Sequence, residues 1–193
     1  MSEGRNKNDT EDIFKGICSK PWVQWYKWPV WQKVIVLCLM MILQIGCGGE
    51  YGKVVAITAS STMFPNDAVY SPRYLMEAKK TIWHSQSPPK YPEWVEIVFC
   101  PPAAITHLGI MAQDDSPAGS EHKRGPKAFV LQGSNDRTNW KDLLKVEGNV
   151  YTKGGELKEW DFPIKGDRYT YYRIYITASG DPGLLTIQQI VLR

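Results

Sequence analysis

Cysteine is scarce in this 193-residue chain and unevenly placed, with Cys18, Cys38 and Cys47 in the first 47 residues and only Cys100 in the remainder. The larger part therefore closes no disulfide within itself, and no spacing among the four suits a zinc site. Cys100 is expected as a buried thiol ending the strand-like EWVEIVFC, with a bridge to Cys47 as the open alternative. Histidine is scarcer still. His84, His107 and His122 have no metal-motif spacing, and there is no nucleophile elbow, phosphate loop or dinucleotide fingerprint. The adjacent acids Asp114 and Asp115 cannot flank a substrate from two sides, so no catalytic role is expected. Charge of one sign is missing too. Of 23 Lys plus Arg and 20 Asp plus Glu, 6 and 4 fall in residues 1–47, which leaves 17 and 16 for the rest. Neither part is polybasic, which argues against nucleic acid as the main partner. Finally, the chain has no convincing helical stretch, no internal repeat and no apolar run of the roughly 20 residues that span a bilayer.

What is present is a globular composition, 43% hydrophobic and 22% charged, in a chain long enough for one core and an extension. Residues 1–20 read as a flexible polar tail. Trp22, Trp25, Tyr26, Trp28 and Trp31 then crowd together among Lys20, Lys27 and Lys33, ahead of the apolar run Val34–Leu43. Amphipathic rings beside cationic stems suit a membrane interface, and the apolar run after them suits the hydrocarbon. Its length is closer to the central region of a secretory signal than to a spanning helix. Gly46-Cys47 at its end resembles the lipobox of bacterial lipoproteins, which implies acylation of Cys47, although Gln44 stands where Leu is usual. An uncleaved anchor is the alternative. Either way residues 48–193 are expected on the non-cytoplasmic side, held at a membrane by residues 21–47.

From Val54 onward the chain is a succession of short strand candidates separated by turn residues: Val54–Ser60, Thr81–Ser85, Glu93–Phe99, Ala104–Ala112, Ala128–Gln132, Trp140–Val146, Leu157–Phe162, Tyr169–Ala178 and Leu184–Leu192. Alternation puts Val95, Ile97 and Phe99 on one face with Glu96 on the other, and sets Tyr172, Ile174 and Ile176 against Tyr171, Arg173 and Tyr175. Such spacing predicts an all-β antiparallel sandwich. The most distinctive phrase is KAFVLQGSNDRTNW, Lys127–Trp140, a strand followed by a polar corner in which Asp136 is expected to cap its own turn.

That phrase, with ITASS, WHS, PEWVEIVF, YYRIYI and IQQIVL in the same order, resembles the discoidin or coagulation factor 5/8 type C family over residues 53–193. The resemblance implies an eight-stranded antiparallel jelly-roll sandwich of the galactose-binding-domain type, used mainly to bind sugars, phospholipid surfaces or proteins through loops at one end. It places the candidate loops at Ser61–Lys80 and Gln113–Pro126, with Gly180–Gly183 beside them. Phe64, Tyr70 and Tyr74 then offer rings for stacking on a sugar, and Asp114, Asp115, His122, Lys123 and Arg124 offer donors and acceptors for its hydroxyls. Trp83 and Trp140 are expected in the core, and His84 as a structural imidazole. Some relatives hold a structural calcium. Thr81 fits that pattern, but Ala78 and Gln189 replace an expected glycine and carboxylate, so no metal is assigned. The corner also departs from the pattern, because Arg137 follows Asp136 where glycine is usual and must avoid or tolerate a positive φ. The expected function is a membrane-tethered, non-catalytic carbohydrate-binding module. The alternative is an accessory subunit of a membrane-associated assembly that uses the sandwich for protein contacts.

Overall fold

Alternating apolar residues fold into strands here because each strand can bury one face only by packing on a second sheet. The computed structural model of the protein describes residues 52–77, 81–117 and 119–193. The polar tail, Trp22, Trp25, Trp28, Trp31, Cys47 and Ala78 lie outside the described residues. Ten strands follow in order: β1 Lys53–Ala59, β2 Trp83–His84, β3 Glu93–Ala103, β4 His107–Met111, β5 Pro126–Ser134, β6 Lys141–Val146, β7 Leu157–Asp161, β8 Tyr169–Ser179, β9 Thr186–Ile187 and β10 Gln189–Leu192. They form a five-stranded sheet in the order β1-β3-β8-β5-β6, a three-stranded sheet β10-β4-β7 and the pair β2-β9, with every pairing between strands antiparallel. Among the described residues, no helix is long and apolar enough to cross a membrane.

The core lies between the five- and three-stranded sheets. Val95, Ile97 and Phe99 of β3, Phe129 and Leu131 of β5, and Tyr172, Ile174 and Ile176 of β8 are all buried, as the alternation predicts. Leu108, Ile110 and Ile190 face them from the smaller sheet, and Phe129 meets Trp160 edge to face with ring centroids 5.2 Å apart. Burial raises the Tyr172 phenol to about 12. It donates to the Ala103 carbonyl at 2.8 Å, so it ties the end of β3 to the core.

Four sequence expectations need correction. Strand β3 does not stop at Phe99 but continues to Ala103, and Cys100 is half-buried rather than buried. Pro101 and Pro102 are tolerated because they fall in the register shift between Val98 and Ala103, where the ladder asks no N–H of them. The last segment is two strands rather than one, since the chain leaves its pairing with β2 and joins β4 at Gln188. Glu96 lies on the face opposite Val95, Ile97 and Phe99, as the alternation gives, and is buried there beneath Arg137. Trp140 is half-buried on the outer sheet face rather than in the core. The Arg173 guanidinium lies 3.9 Å from its ring centroid, and its indole N–H donates to the Arg137 carbonyl at 2.9 Å.

Ser134–Trp140 forms the corner between β5 and β6. Asp136 Oδ1 accepts from the Thr138 and Asn139 backbone N–H groups at 2.8 and 2.7 Å, and Oδ2 accepts from the Asn139 amide at 2.7 Å. Bonds from Asn139, first its backbone and then its side chain, hold the Asp136 carboxyl far below the usual carboxylate range. Arg137 sits at φ 59°, so the glycine conformation is kept without the glycine.

The corner lies at the same end of the sandwich as the last residue of β10. There His107 is held between two carboxylates, with Nδ1 2.7 Å from Asp161 and Nε2 2.9 Å from Glu159, while the Arg193 guanidinium donates to Glu159 at 2.8 Å. The Asp161 bond, reinforced by Glu159, raises the imidazole pKa above its ordinary value. A raised folded-state pKa gives stability that is complete below the unfolded value of about 6.5 and is lost as pH climbs through the folded value. The melting temperature is therefore expected to fall as pH is raised upward from about 6.5. His107→Gln should flatten that slope, and an unchanged slope in the variant would assign the effect elsewhere.

Candidate functional site

The opposite end of the sandwich gathers the connections β1–β2, β2–β3, β4–β5, β6–β7 and β8–β9, because antiparallel order returns each of them to that side. The described parts of all three candidate loops, 61–77, 113–117, 119–126 and 180–183, are therefore at one end. Their anchors are visible in the hydrogen bonds. The Trp83 indole donates to the Ser61 carbonyl at 2.9 Å, the Met63 N–H to the His84 carbonyl at 2.9 Å, and the Gly180 N–H to the Gly125 carbonyl at 3.1 Å. Glu93 is 1% exposed at the start of β3 and accepts from the hydroxyls of Ser60 and Ser61 and from the Lys90 N–H. This buried carboxylate fixes the end of β1 where the first loop departs. Sequence reasoning missed it, because a Glu opening a strand looks like any exposed charge.

The first loop contains two one-turn 3-10 helices, Ala68–Tyr70 and Pro72–Tyr74, capped by the Asp67 carboxylate and the Ser71 hydroxyl. Phe64 is 49% exposed, while Tyr70 is half-buried. The Tyr70 ring centroid lies 5.3 Å from that of Phe64 and 6.1 Å from that of His84. His84 itself is buried and donates from Nδ1 to the Ser85 carbonyl at 2.8 Å, a structural imidazole. Tyr74 is half-buried, with the Arg73 guanidinium 5.7 Å from its ring centroid. Phe64, Pro65, Asn66, Asp67 and Ala68 line an open hollow of about 510 Å³. Met63, at 36%, and Val69, at 48%, add exposed apolar surface to the same loop.

In the second loop most polar side chains already have partners. Asp114 faces Gln188, its N–H donating to the Gln188 amide oxygen at 2.6 Å while its Oδ2 accepts from the Gln188 amide nitrogen at 3.0 Å. Asp115 accepts from the His122 N–H at 2.9 Å and the Gly154 N–H at 2.8 Å, and pairs with His122 Nδ1 at 2.8 Å. The His122 backbone bond, the largest cause, lowers the Asp115 pKa below the ordinary carboxylate value. Arg124 lies 3.9 Å from Glu121, whose carboxylate also accepts from the Ser116 N–H and hydroxyl. Asp114, Asp115, His122 and Arg124 thus hold the loop's shape. Lys123, exposed on the 3-10 turn Glu121–Arg124, borders a separate cleft of about 230 Å³ shared with the β6–β7 connection.

The residues described at the position the resemblance gives to calcium make a weak site for that ion. Thr81 Oγ1 is buried with no hydrogen-bond partner. Gln189 supplies a neutral amide in place of a carboxylate, and Ala78 lies outside the described residues. Chelation with EDTA is therefore expected to leave the melting temperature unchanged. A fall that added calcium reverses would contradict this.

Comparison with solved structures identifies the architecture. A chitosan-binding module of a chitosanase/glucanase from Paenibacillus sp. IK-5 superimposes with a TM-score of 0.56 at 18% identity, covering 72% of this chain and 93% of the module. A module from Clostridium perfringens in complex with GalNAc-β-1,3-galactose gives 0.54 at 18% identity, covering 70% and 92%. The F5/8 type C domain of a Bacteroides fragilis protein gives 0.57 at 14% identity, covering 75% and 96%. At these identities the likeness concerns the fold. Comparison with curated protein sequences gave no match. The F5/8 type C domain profile matches residues 56–188, more than half of the chain, and the protein belongs to that family.

Proposed function

We propose that the domain is a non-catalytic module that binds carbohydrate through the loops at the end of the sandwich opposite the Ser134–Trp140 corner. One observation carries this reading: residues 61–77, 113–117, 119–126 and 180–183 lie at one end of the sandwich and there present the exposed ring of Phe64 beside Tyr70, a surface on which a sugar ring can stack. The names of two structural neighbours, a chitosan-binding module and a module in complex with GalNAc-β-1,3-galactose, support the same reading. The module is tethered at a membrane by residues 21–47 and displayed on the non-cytoplasmic side.

Glycan-array binding by the full-length protein in mild detergent tests it. Binding is expected, and is expected to weaken when Phe64 is replaced by Ala or when His122, Lys123 and Arg124 are replaced together. No binding to any glycan, or binding indifferent to both sets of changes, contradicts it. The tether is tested separately. If the mature protein carries a lipid on Cys47, Cys47→Ala removes the mass shift and releases the protein from membranes. A retained mass shift would rule out acylation at that residue.

A further inference from the structure

The cleft beside Lys123 has a charge pattern that the binding reading does not by itself require. It is walled by Lys123 from the second loop, Lys127 at the start of β5, and Val150 and Tyr151 from the β6–β7 connection. Gly125 and Gly180 make the space. A Cβ on Gly125 would lie 2.4 Å from the Tyr151 ring, and one on Gly180 would lie 2.4 Å from the Lys123 carbonyl oxygen. Burial pushes the Tyr151 phenol up, so that ring is a neutral wall. Val150, 62% exposed, is the most exposed of the large apolar side chains among the described residues.

Among the described residues, no acid lines this cleft. The acids near it are engaged elsewhere: Asp115 with His122 and Gly154, Glu121 with Ser116 and Arg124, Glu156 with Thr152 and Lys158, Glu147 with Lys145, and Asp181 with the Gly183 N–H. The Thr152 backbone bond and then Lys158 hold the Glu156 carboxyl at about 2, so it stays charged and committed. Among the described residues, Lys123 and Lys127 form no ion pair, as is also true of Lys53, Lys90, Lys153 and Lys165. Two lysines bordering one small hollow bring two positive charges to its neighbourhood, and an anion bound there is attracted by both.

Resting on the carbohydrate reading above, we infer that this cleft binds an anionic saccharide unit, with its carboxylate or sulfate between Lys123 and Lys127 and its ring against Val150. The volume of about 230 Å³ is below the roughly 300–1,000 Å³ of drug-sized sites and restricts the occupant to a single ring. Ammonium groups recognise charge without the planar fork of an arginine, so carboxylated and sulfated sugars are both accommodated.

Isothermal titration of the full-length protein in detergent with four oligosaccharides tests this: a galacturonate oligomer, a sulfated galactan oligomer, a neutral galactan oligomer and a cationic glucosamine oligomer. At least one of the anionic pair is expected to bind more tightly than the neutral oligomer and to weaken as sodium chloride is raised. Lys127→Ala is expected to weaken anionic binding about two- to fivefold with the neutral oligomer unaffected, and adding Lys123→Ala to bring the loss of anionic binding to roughly tenfold. Lys127→Arg should retain the affinity. Both lysines are exposed and unpaired, so the variants should melt with the parent. Equal binding of neutral and anionic oligomers, or anionic binding unmoved by the double substitution, overturns the inference and leaves the carbohydrate reading standing. Binding of none of the four, on an array as well as by calorimetry, removes both.

Discussion

Replacing Trp83 by alanine is expected to destabilise the protein by about 3–5 kcal/mol, the range for a fully buried large aromatic. Trp83 is 0% exposed, and its two-residue strand pairs with β9 through Ile187, which is also fully buried. The indole has a second task, since its N–H holds the Ser61 carbonyl where the first loop leaves the sandwich. Stability and binding should therefore be lost together. Trp83→Phe separates the two contributions. It keeps much of the apolar volume and removes the bond to Ser61, so it should cost less stability while loosening the loop that carries Phe64 and Tyr70. Urea denaturation of the two variants, compared with glycan affinity, checks the coupling. A Trp83→Ala variant within about 1 kcal/mol of the parent would show that the loop end does not depend on this core position.

The second large effect belongs to Arg137. Its guanidinium lies 3.0 Å from Glu96, whose side chain is only 9% exposed, and 4.2 Å from the centroid of the Tyr171 ring. Removing one member of a fully buried pair costs about 3–5 kcal/mol. Arg137 is itself half-exposed, so water screens part of the interaction and about 2–3 kcal/mol is the appropriate expectation for Arg137→Ala. Glycine should do better than alanine at this site despite losing the same contacts, because it relieves a left-handed backbone worth about 1 kcal/mol. The expected order of stability is Arg, then Gly, then Ala. Glu96→Gln should shrink the cost of Arg137→Ala, since the carboxylate left without its partner is what makes the single change expensive. An alanine variant as stable as glycine would mean that the positive φ carries no strain.

The same residue shows where the sequence was legible and where it was not. The SNDRTNW corner declared a turn, a local property of a few consecutive residues, while the resemblance marked Arg137 as standing where glycine is usual and left its backbone conformation open. The period-two pattern of VEIVF and YYRIYI likewise identified the inner face correctly, since one covered face is all that alternation requires. The outer face of the large sheet was not legible. Glu96 and Trp140 lie there, and both are covered by arginines that arrive from the corner and from β8, a long-range placement with no signature in sequence. In the candidate loops the residue types pointed to polar chemistry, but which groups bond each other depended on Gln188 and Gly154, both more than 30 residues away from the acids they engage. Lys123 stands apart from its neighbours in the turn for the same reason. It borders a cleft whose other walls come from β5 and the β6–β7 connection.

The most direct test of the account is a backbone amide NMR titration of the full-length protein, in detergent micelles, with a glycan that binds on an array. Shift changes are expected to cluster in residues 61–77, 113–126, 147–151 and 180–183, with the Ser134–Trp140 corner and Arg193 unmoved. Changes centred on that corner, or spread over the outer face around Trp140 and Arg173, would contradict the assignment of binding to the opposite end.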